Sequence, residues 1–150
     1  MRMWLVVLMS MVLATSACLR SVRYLARKVS ADEVVGSWVL TEAALTDLKD
    51  IGHTKHLALN DQRLVIHAGG TCFYQGWIEP SAIPENDAGF VSTDCRWTLK
   101  AIDHQAIVVE FPKQDRSLIF YFAEEDGQLV LWKYLDDPDS ENYLEFVKHK

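Results

Sequence analysis

The sequence predicts a mainly β protein, a small antiparallel meander or β-barrel of about eight strands with one short N-terminal helix. Three observations lead there. Apolar side chains recur with a period of two, most cleanly over 94–101, where Cys95, Trp97 and Leu99 alternate with Arg96, Thr98 and Lys100. Short turn signals separate the strand-like runs: Ala68-Gly69-Gly70-Thr71, Asp103-His104 and Glu124-Glu125-Asp126-Gly127. Neighbouring hairpins build an antiparallel meander, and closing it into a barrel leaves no unpaired edge.

Residues 1–17 stand apart from that pattern. Arg2 is followed by Met3 to Ala14, in which Ser10 is the one clearly polar side chain. An apolar run of about 12 residues suits the core of an export signal and is short of the roughly 20 that span a bilayer. Small residues close it, Thr15-Ser16-Ala17, and Cys18 follows. This junction resembles the lipobox of bacterial lipoproteins, with Thr15 where that family mostly has Leu. The resemblance implies cleavage before Cys18, a diacylglycerol on its thiol, and acylation of the new amine by chains such as palmitate. Leu19 rather than Asp after the Cys implies the outer membrane, facing the periplasm. Two other readings stay open. Ordinary cleavage after Ala17 would release a secreted protein with a free Cys18. An uncleaved anchor would keep the leader, and Arg20, Arg23, Arg27 and Lys28 favour it, because positive charge tends to stay cytoplasmic.

Residues 18–30 form a basic tether. Arg20, Arg23 and Arg27 fall at helical spacing, as do Val22, Leu25 and Val29. Such a segment would lie on lipid headgroups beside an acylated Cys18, or serve as a mobile linker. Residues 31–150 are one domain's length, enough for a single core.

Within the domain the elements run in order. Val34 to Leu40 reads as the first strand. Thr41 to Ile51 has helix grammar: Thr41 as cap, Glu42 in the first turn, Ala44, Leu45 and Leu48 on one stripe, and Gly52 as a stop. His56 to Leu59 reads equally as a short strand or as loop. Strands follow at 63–67 and 71–77, then a loop from Ile78 to Ser92 with Pro80, Pro84 and Gly89. Further strands are expected at 94–101, 106–111, 116–123, 128–134 and 142–148, with an acidic loop at 136–140. The runs 106–111 and 118–122 are apolar on both faces, so their outer side needs cover from the 41–51 helix or from another subunit.

Gly36-Ser37-Trp38 at the domain start resembles the G-x-W opening of lipocalins and related small barrels. The resemblance implies that Trp38 plugs one barrel end and that Gly36 lets the backbone pass close by. Two lipocalin marks are not met: Thr93-Asp94 is followed by Cys95 rather than Tyr, and the last strand has no Arg to stack on Trp38.

The chain of 150 residues carries 15 Lys and Arg against 21 Asp and Glu, a formal charge of −6. Loss of the leader removes one more positive charge. Apart from the tether the domain is acidic, which excludes nucleic acid as the expected partner. With Cys18 lipidated, Cys72 and Cys95 remain as a pair. In an oxidising compartment they are disulfide candidates, each on a predicted strand; two buried thiols are the alternative.

No catalytic pattern emerges: there is no Gly-rich phosphate loop, no G-x-S-x-G elbow and no zinc-type spacing. The sequence therefore predicts neither an enzyme nor a cofactor. His53 and His56, three apart, read as exposed polar residues rather than metal ligands, and Asp136 to Glu141 as a solvated turn rather than a calcium loop. The aromatics of the strands, Tyr74, Trp77, Phe111 and Phe120 among them, would pack a core or line an apolar pocket, since an eight-stranded barrel is about the smallest that holds one ligand. The expected function is thus a membrane-anchored lipoprotein of the bacterial cell envelope. It would bind a small apolar ligand in its barrel or, as the alternative, present a sheet surface over a filled core to an envelope protein partner.

Overall fold

The computed structural model describes residues 24–50, 61–77, 90–134 and 143–149. Eight strands close into one antiparallel barrel in sequence order, with β1 pairing β2 on one side and β8 on the other. They are β1 (Gly36–Leu40), β2 (Arg63–Ile66), β3 (Thr71–Trp77), β4 (Phe90–Ala101), β5 (Gln105–Phe111), β6 (Arg116–Glu125), β7 (Gln128–Tyr134) and β8 (Tyr143–Lys148). Two helices, α1 (Ala31–Val34) and α2 (Glu42–Asp50), flank β1.

A meander places its successive connections at alternate ends. The β2–β3, β4–β5 and β6–β7 hairpins therefore share one end with α1 and the tether, here the tether end. The β5–β6 turn lies at the opposite end with α2, here the helix end.

Where the elements differ from the sequence reading, a local rule explains the difference. The first strand begins at Gly36 rather than Val34, because Ser30 and Glu33 form a reciprocal capping box that turns Ala31–Val34 into a helix. The Glu33 amide donates to Ser30 Oγ at 3.4 Å, and the Ser30 amide donates to the Glu33 carboxylate at 2.9 Å. Two short helices thus replace the single one expected. β4 starts at Phe90, inside the expected loop, because Val91 and Thr93 pair with Gly76 and Tyr74 and extend the ladder. Glu124 and Glu125 continue β6, and the turn contracts to Asp126-Gly127, both at positive φ (50° and 74°), which suits a two-residue hairpin. The helix grammar at Thr41 holds, its Oγ1 accepting from the Ala44 amide at 3.1 Å. The segment at 56–59, residues 78–89 and the acidic loop lie outside the described residues.

Alternating residues of every strand fill the barrel, among them Trp38, Leu64, Tyr74, Val109, Phe120 and Phe146. The 42–50 helix does not cover the outer face of β5 and β6. It follows β1 without a linker, and the Thr41 amide is held by the Glu145 carbonyl of β8 at 3.0 Å. That pins α2 over the helix end, where Ala44 and Leu48 join the interior cluster. The outer face of β5–β7 is covered in part by the tether instead, through Tyr24 against Tyr121 and Trp132.

Candidate functional site

The barrel interior is where the sequence reading placed a ligand. Trp38, Leu64, Tyr74, Ile107, Val109, Phe120, Leu131 and Phe146 each retain 0% accessible surface. A side chain with no accessible surface has no water-sized space against it. The rings also brace one another: Tyr74 lies 5.4 Å from Phe111 and 6.3 Å from Phe120, and Phe120 lies edge-on to Phe146 at 5.6 Å.

One charged side chain interrupts this packing. The sequence groups Val130, Trp132 and Tyr134 on one face of β7, and that face is the outer one. The period of two then sends Leu129, Leu131 and Lys133 inward. Lys133 is 2% exposed, and its Nζ crosses the interior to donate to the Trp77 carbonyl at 3.0 Å and to the Tyr74 hydroxyl at 3.3 Å. Tyr74 in turn donates to the same carbonyl at 3.0 Å. Burial lowers the Lys133 amine to about 7, with no carboxylate beside it among the described residues. Burial likewise raises the Tyr74 hydroxyl. Gln62 is also fully buried, and neither polar atom of its amide has a hydrogen-bond partner among the described residues. Gly76 makes room for the group: at φ 155° its backbone passes so close that an added Cβ would stand 2.6 Å from the Tyr74 hydroxyl and 3.4 Å from Gln62 Oε1. The arrangement is donor-rich and buried, and chemically it suits one hydrogen-bond acceptor.

Cys72 and Cys95 are directly opposed in the β3–β4 register and joined as a disulfide, their Cα atoms 4.8 Å apart. Both side chains are buried, so the bridge cross-links two neighbouring strands from within the barrel.

At the tether end Trp38 is fully buried, and its Nε1 donates to the Val34 carbonyl of α1 at 2.8 Å. The stacking cation is present after all, as Lys148 of β8 rather than an arginine. Its Nζ lies 5.6 Å from the Trp38 ring centroid and donates to the Glu33 carbonyl at 2.9 Å. Gly36, at φ 143°, leaves space for it, since an added Cβ would meet Lys148 Cε at 2.6 Å. A search for Arg alone passes over this residue, because the role needs a cation on a long stem rather than a particular side chain.

From Tyr24 onward the tether is part of the fold. The Leu25 amide donates to the Phe122 carbonyl at 2.9 Å, extending the β6 edge beyond the last residue of β5 that pairs with it. The Gln105 side chain accepts from the Val29 amide at 2.7 Å and donates to the Val29 carbonyl at 2.8 Å, as a neighbouring strand would. Arg27 bridges Glu33 at 2.7 Å and Glu124 at 3.4 Å. The Ser30 amide, and then Arg27, hold the Glu33 carboxyl below its usual range. Tyr24 stacks on His104 at 3.6 Å between centroids, and its hydroxyl lies 3.1 Å from that of Tyr134. Partial burial, followed by that contact, raises the Tyr24 hydroxyl. Between the tether and the β4–β5 turn runs an open surface groove of about 510 Å³.

The structure therefore brings together Gly36 and Trp38, and Cys72 and Cys95. Cys18, His53, His56 and the 136–141 loop lie outside the described residues. Among the described residues no group of three or more His, Cys, Asp or Glu side chains is placed to hold a metal ion. Sequence reasoning missed Lys133, Gln62 and Lys148; the strict alternation of β7 was the available signal for the first. The chain has no significant match among protein-family models, curated proteins or solved structures.

Proposed function

We propose that this protein is a lipid-anchored component of the bacterial cell envelope whose barrel is a filled, rigid body acting through its outer surface toward an envelope partner. The observation that carries this reading is the interior: Trp38, Leu64, Tyr74, Ile107, Val109, Phe120, Leu131 and Phe146 have no accessible surface, whereas a ligand pocket for a small molecule needs roughly 300 Å³ or more. The anchoring half rests on the apolar leader, the small residues before Cys18, and the resemblance to a lipobox. A disulfide between Cys72 and Cys95 agrees with an oxidising compartment.

The carrier reading keeps one specific observation in its favour, the buried and donor-rich group of Gln62, Tyr74 and Lys133. A carrier built on it would take a ligand with an acceptor head rather than a wholly apolar one.

The test is fractionation of the source cells with intact-mass measurement of the membrane-bound product. The expected product lacks residues 1–17 and carries acyl chains on Cys18, and Cys18→Ser moves the protein out of that form. A product that keeps Met1, or a bare soluble chain, contradicts the anchoring.

A further inference from the structure

We propose that the backbone edge of β4 at Ser92 and Asp94 is a docking site for an extended segment of a partner protein, which joins the barrel there as an added strand. The proposal rests on the partner-facing reading above and deepens it by naming the place and the mode of contact.

Unequal strand lengths create the edge. β4 has 12 residues and β6 has 10, but β5 between them has 7. Each neighbour therefore runs past β5 at one end of the barrel. At the tether end β6 runs past, and the chain covers that overhang itself, the Leu25 amide donating to the Phe122 carbonyl at 2.9 Å. At the helix end β4 runs past. Its pairing with β5 stops at Arg96 opposite Glu110, whereas its pairing with β3 continues to Phe90. Carried two residues further, the β4–β5 register sets Pro112 against Asp94. Proline has no amide to donate. The chain turns away at this point, where the Gln114 amide donates to the Phe111 carbonyl at 3.1 Å.

The backbone groups left over follow from the ladder. The Trp97 amide donates toward β3, to the Gly70 carbonyl at 2.9 Å, and the Ile102 amide donates toward β5, to the His104 carbonyl at 3.0 Å. In an antiparallel sheet these directions alternate along a strand. Even-numbered residues of β4 therefore aim amide and carbonyl at the β5 side, and for Ser92 and Asp94 no β5 residue stands there. Among the described residues, these four groups receive only the Thr93 hydroxyl, which donates to the Asp94 carbonyl at 3.3 Å. Both residues are exposed. Such a row of unpaired groups is a template for another extended chain.

The surroundings define the partner. Beside Arg96 a surface groove of about 470 Å³ runs along the end of β5, past Glu110, Phe111, Arg116 and Ser117. On the outward face Arg96 lies across from Glu110, and Asp94 takes part in no ion pair among the described residues. On the inward face Val91 and Thr93 are half-buried. A segment laid on this edge thus meets a carboxylate on one face and β-branched side chains on the other. The matching segment has a period of two, with Lys or Arg opposite Asp94 and β-branched or apolar residues on either side. A second copy of this chain fits less well, because its own free edge would set Ser92 rather than a cation opposite Asp94.

The experiment places p-benzoylphenylalanine at Ser117 on the groove, and separately at Lys100 and Arg63 away from it, in the full-length protein in its source cells. After illumination the linked peptides are sequenced by mass spectrometry. The expected result is an adduct from position 117 with another protein, at least five-fold above that from 100 or 63. Its linked peptide should alternate β-branched residues with a Lys or Arg. Ser92→Pro removes an edge amide that faces away from β3, and should cut this adduct at least five-fold. Asp94→Lys keeps every backbone group and should cut it by a similar factor; it decides the matter if the proline variant does not fold. An adduct at 117 that a folded variant leaves unchanged, or equal adducts from all three positions, overturns the proposal and leaves the partner reading intact. Linkage to residues 78–89 of the same chain, or to a second copy, also overturns it. No protein adduct from any of the three positions removes both.

Discussion

Lys148 and Lys133 stand on the last two strands of one barrel, and both reach side chains of its interior. Lys148 sits at the tether end, its stem beside the Gly36 backbone and its ammonium over the face of Trp38. It stays in contact with water. Lys133 lies between β7 and β3, sealed under aromatic rings, and burial lowers its amine to about 7. The residue type is the same and the hydrogen-bond counts are similar, so water makes the difference. At the tether end a cation closes the barrel. In the interior, where two neutral acceptors but no carboxylate meet it among the described residues, it opposes folding.

The sharpest way to break the first half of that comparison is Trp38→Ala. Removing a fully buried indole should lower stability by about 4 kcal/mol, read as a shift in urea midpoint with unchanged slope. A loss below about 1 kcal/mol would mean that Trp38 is not the plug of the tether end.

Lys133→Met addresses the second half and should act in the opposite direction. The replacement is expected to raise stability by about 3 kcal/mol at pH 6, because it removes an uncompensated buried cation. The pH dependence follows from the lowered amine. Between about pH 7 and its ordinary value near 10.5, the unfolded chain binds more protons at Lys133 than the folded one, so stability rises with pH. The slope approaches about 1.4 kcal/mol per pH unit and vanishes below pH 7, where both states are protonated. Urea titrations from pH 6 to 9, below the range of the tyrosines, should show the rise in the parent and its absence in Lys133→Met. A parent that is flat over that range places a counter-ion or a ligand beside Lys133.

The disulfide fastens β3, which supplies the acceptors of Lys133, to β4. Replacing Cys72 and Cys95 together by Ala should lower stability by about 3 kcal/mol, most of it through a freer unfolded chain. Reductant added to the parent should give the same shift, and no shift with reductant would mean the thiols are not bridged. The smallest effect belongs to Lys148→Met, at about 1 kcal/mol, from the lost cation–π contact and the bond to the Glu33 carbonyl.

Much of this fold was legible in the sequence because the relevant signals are local. Turn signals and apolar runs placed β3, β5 and β7 within a residue or so, and paired glycines marked the β2–β3 turn. Gly36 and Trp38 were singled out by their resemblance to a G-x-W opening, and Cys72 and Cys95 as the pair that remains once Cys18 is set aside. What stayed hidden depended on relations between strands. The sequence shows that Val130, Trp132 and Tyr134 share a face of β7, but only the closed barrel makes that face the outer one and turns Lys133 inward. The capping box of Ser30 and Glu33 was written in the chain yet outweighed by the strand-like look of Val34-Val35. The docking of Leu25 and Val29 depends on the free edge of β6 and on the Gln105 side chain, neither of which leaves a periodic trace.

A barrel that works from its surface, as proposed here, has an interior occupied by the protein's own side chains. Native mass spectrometry of the protein gently extracted from its own cell membranes tests this most directly. The expected mass is that of the acylated chain from Cys18 onward with nothing else bound. A stoichiometric small molecule that stays with the parent protein and is lost from Lys133→Met would contradict it, and would establish the interior as a carrier site.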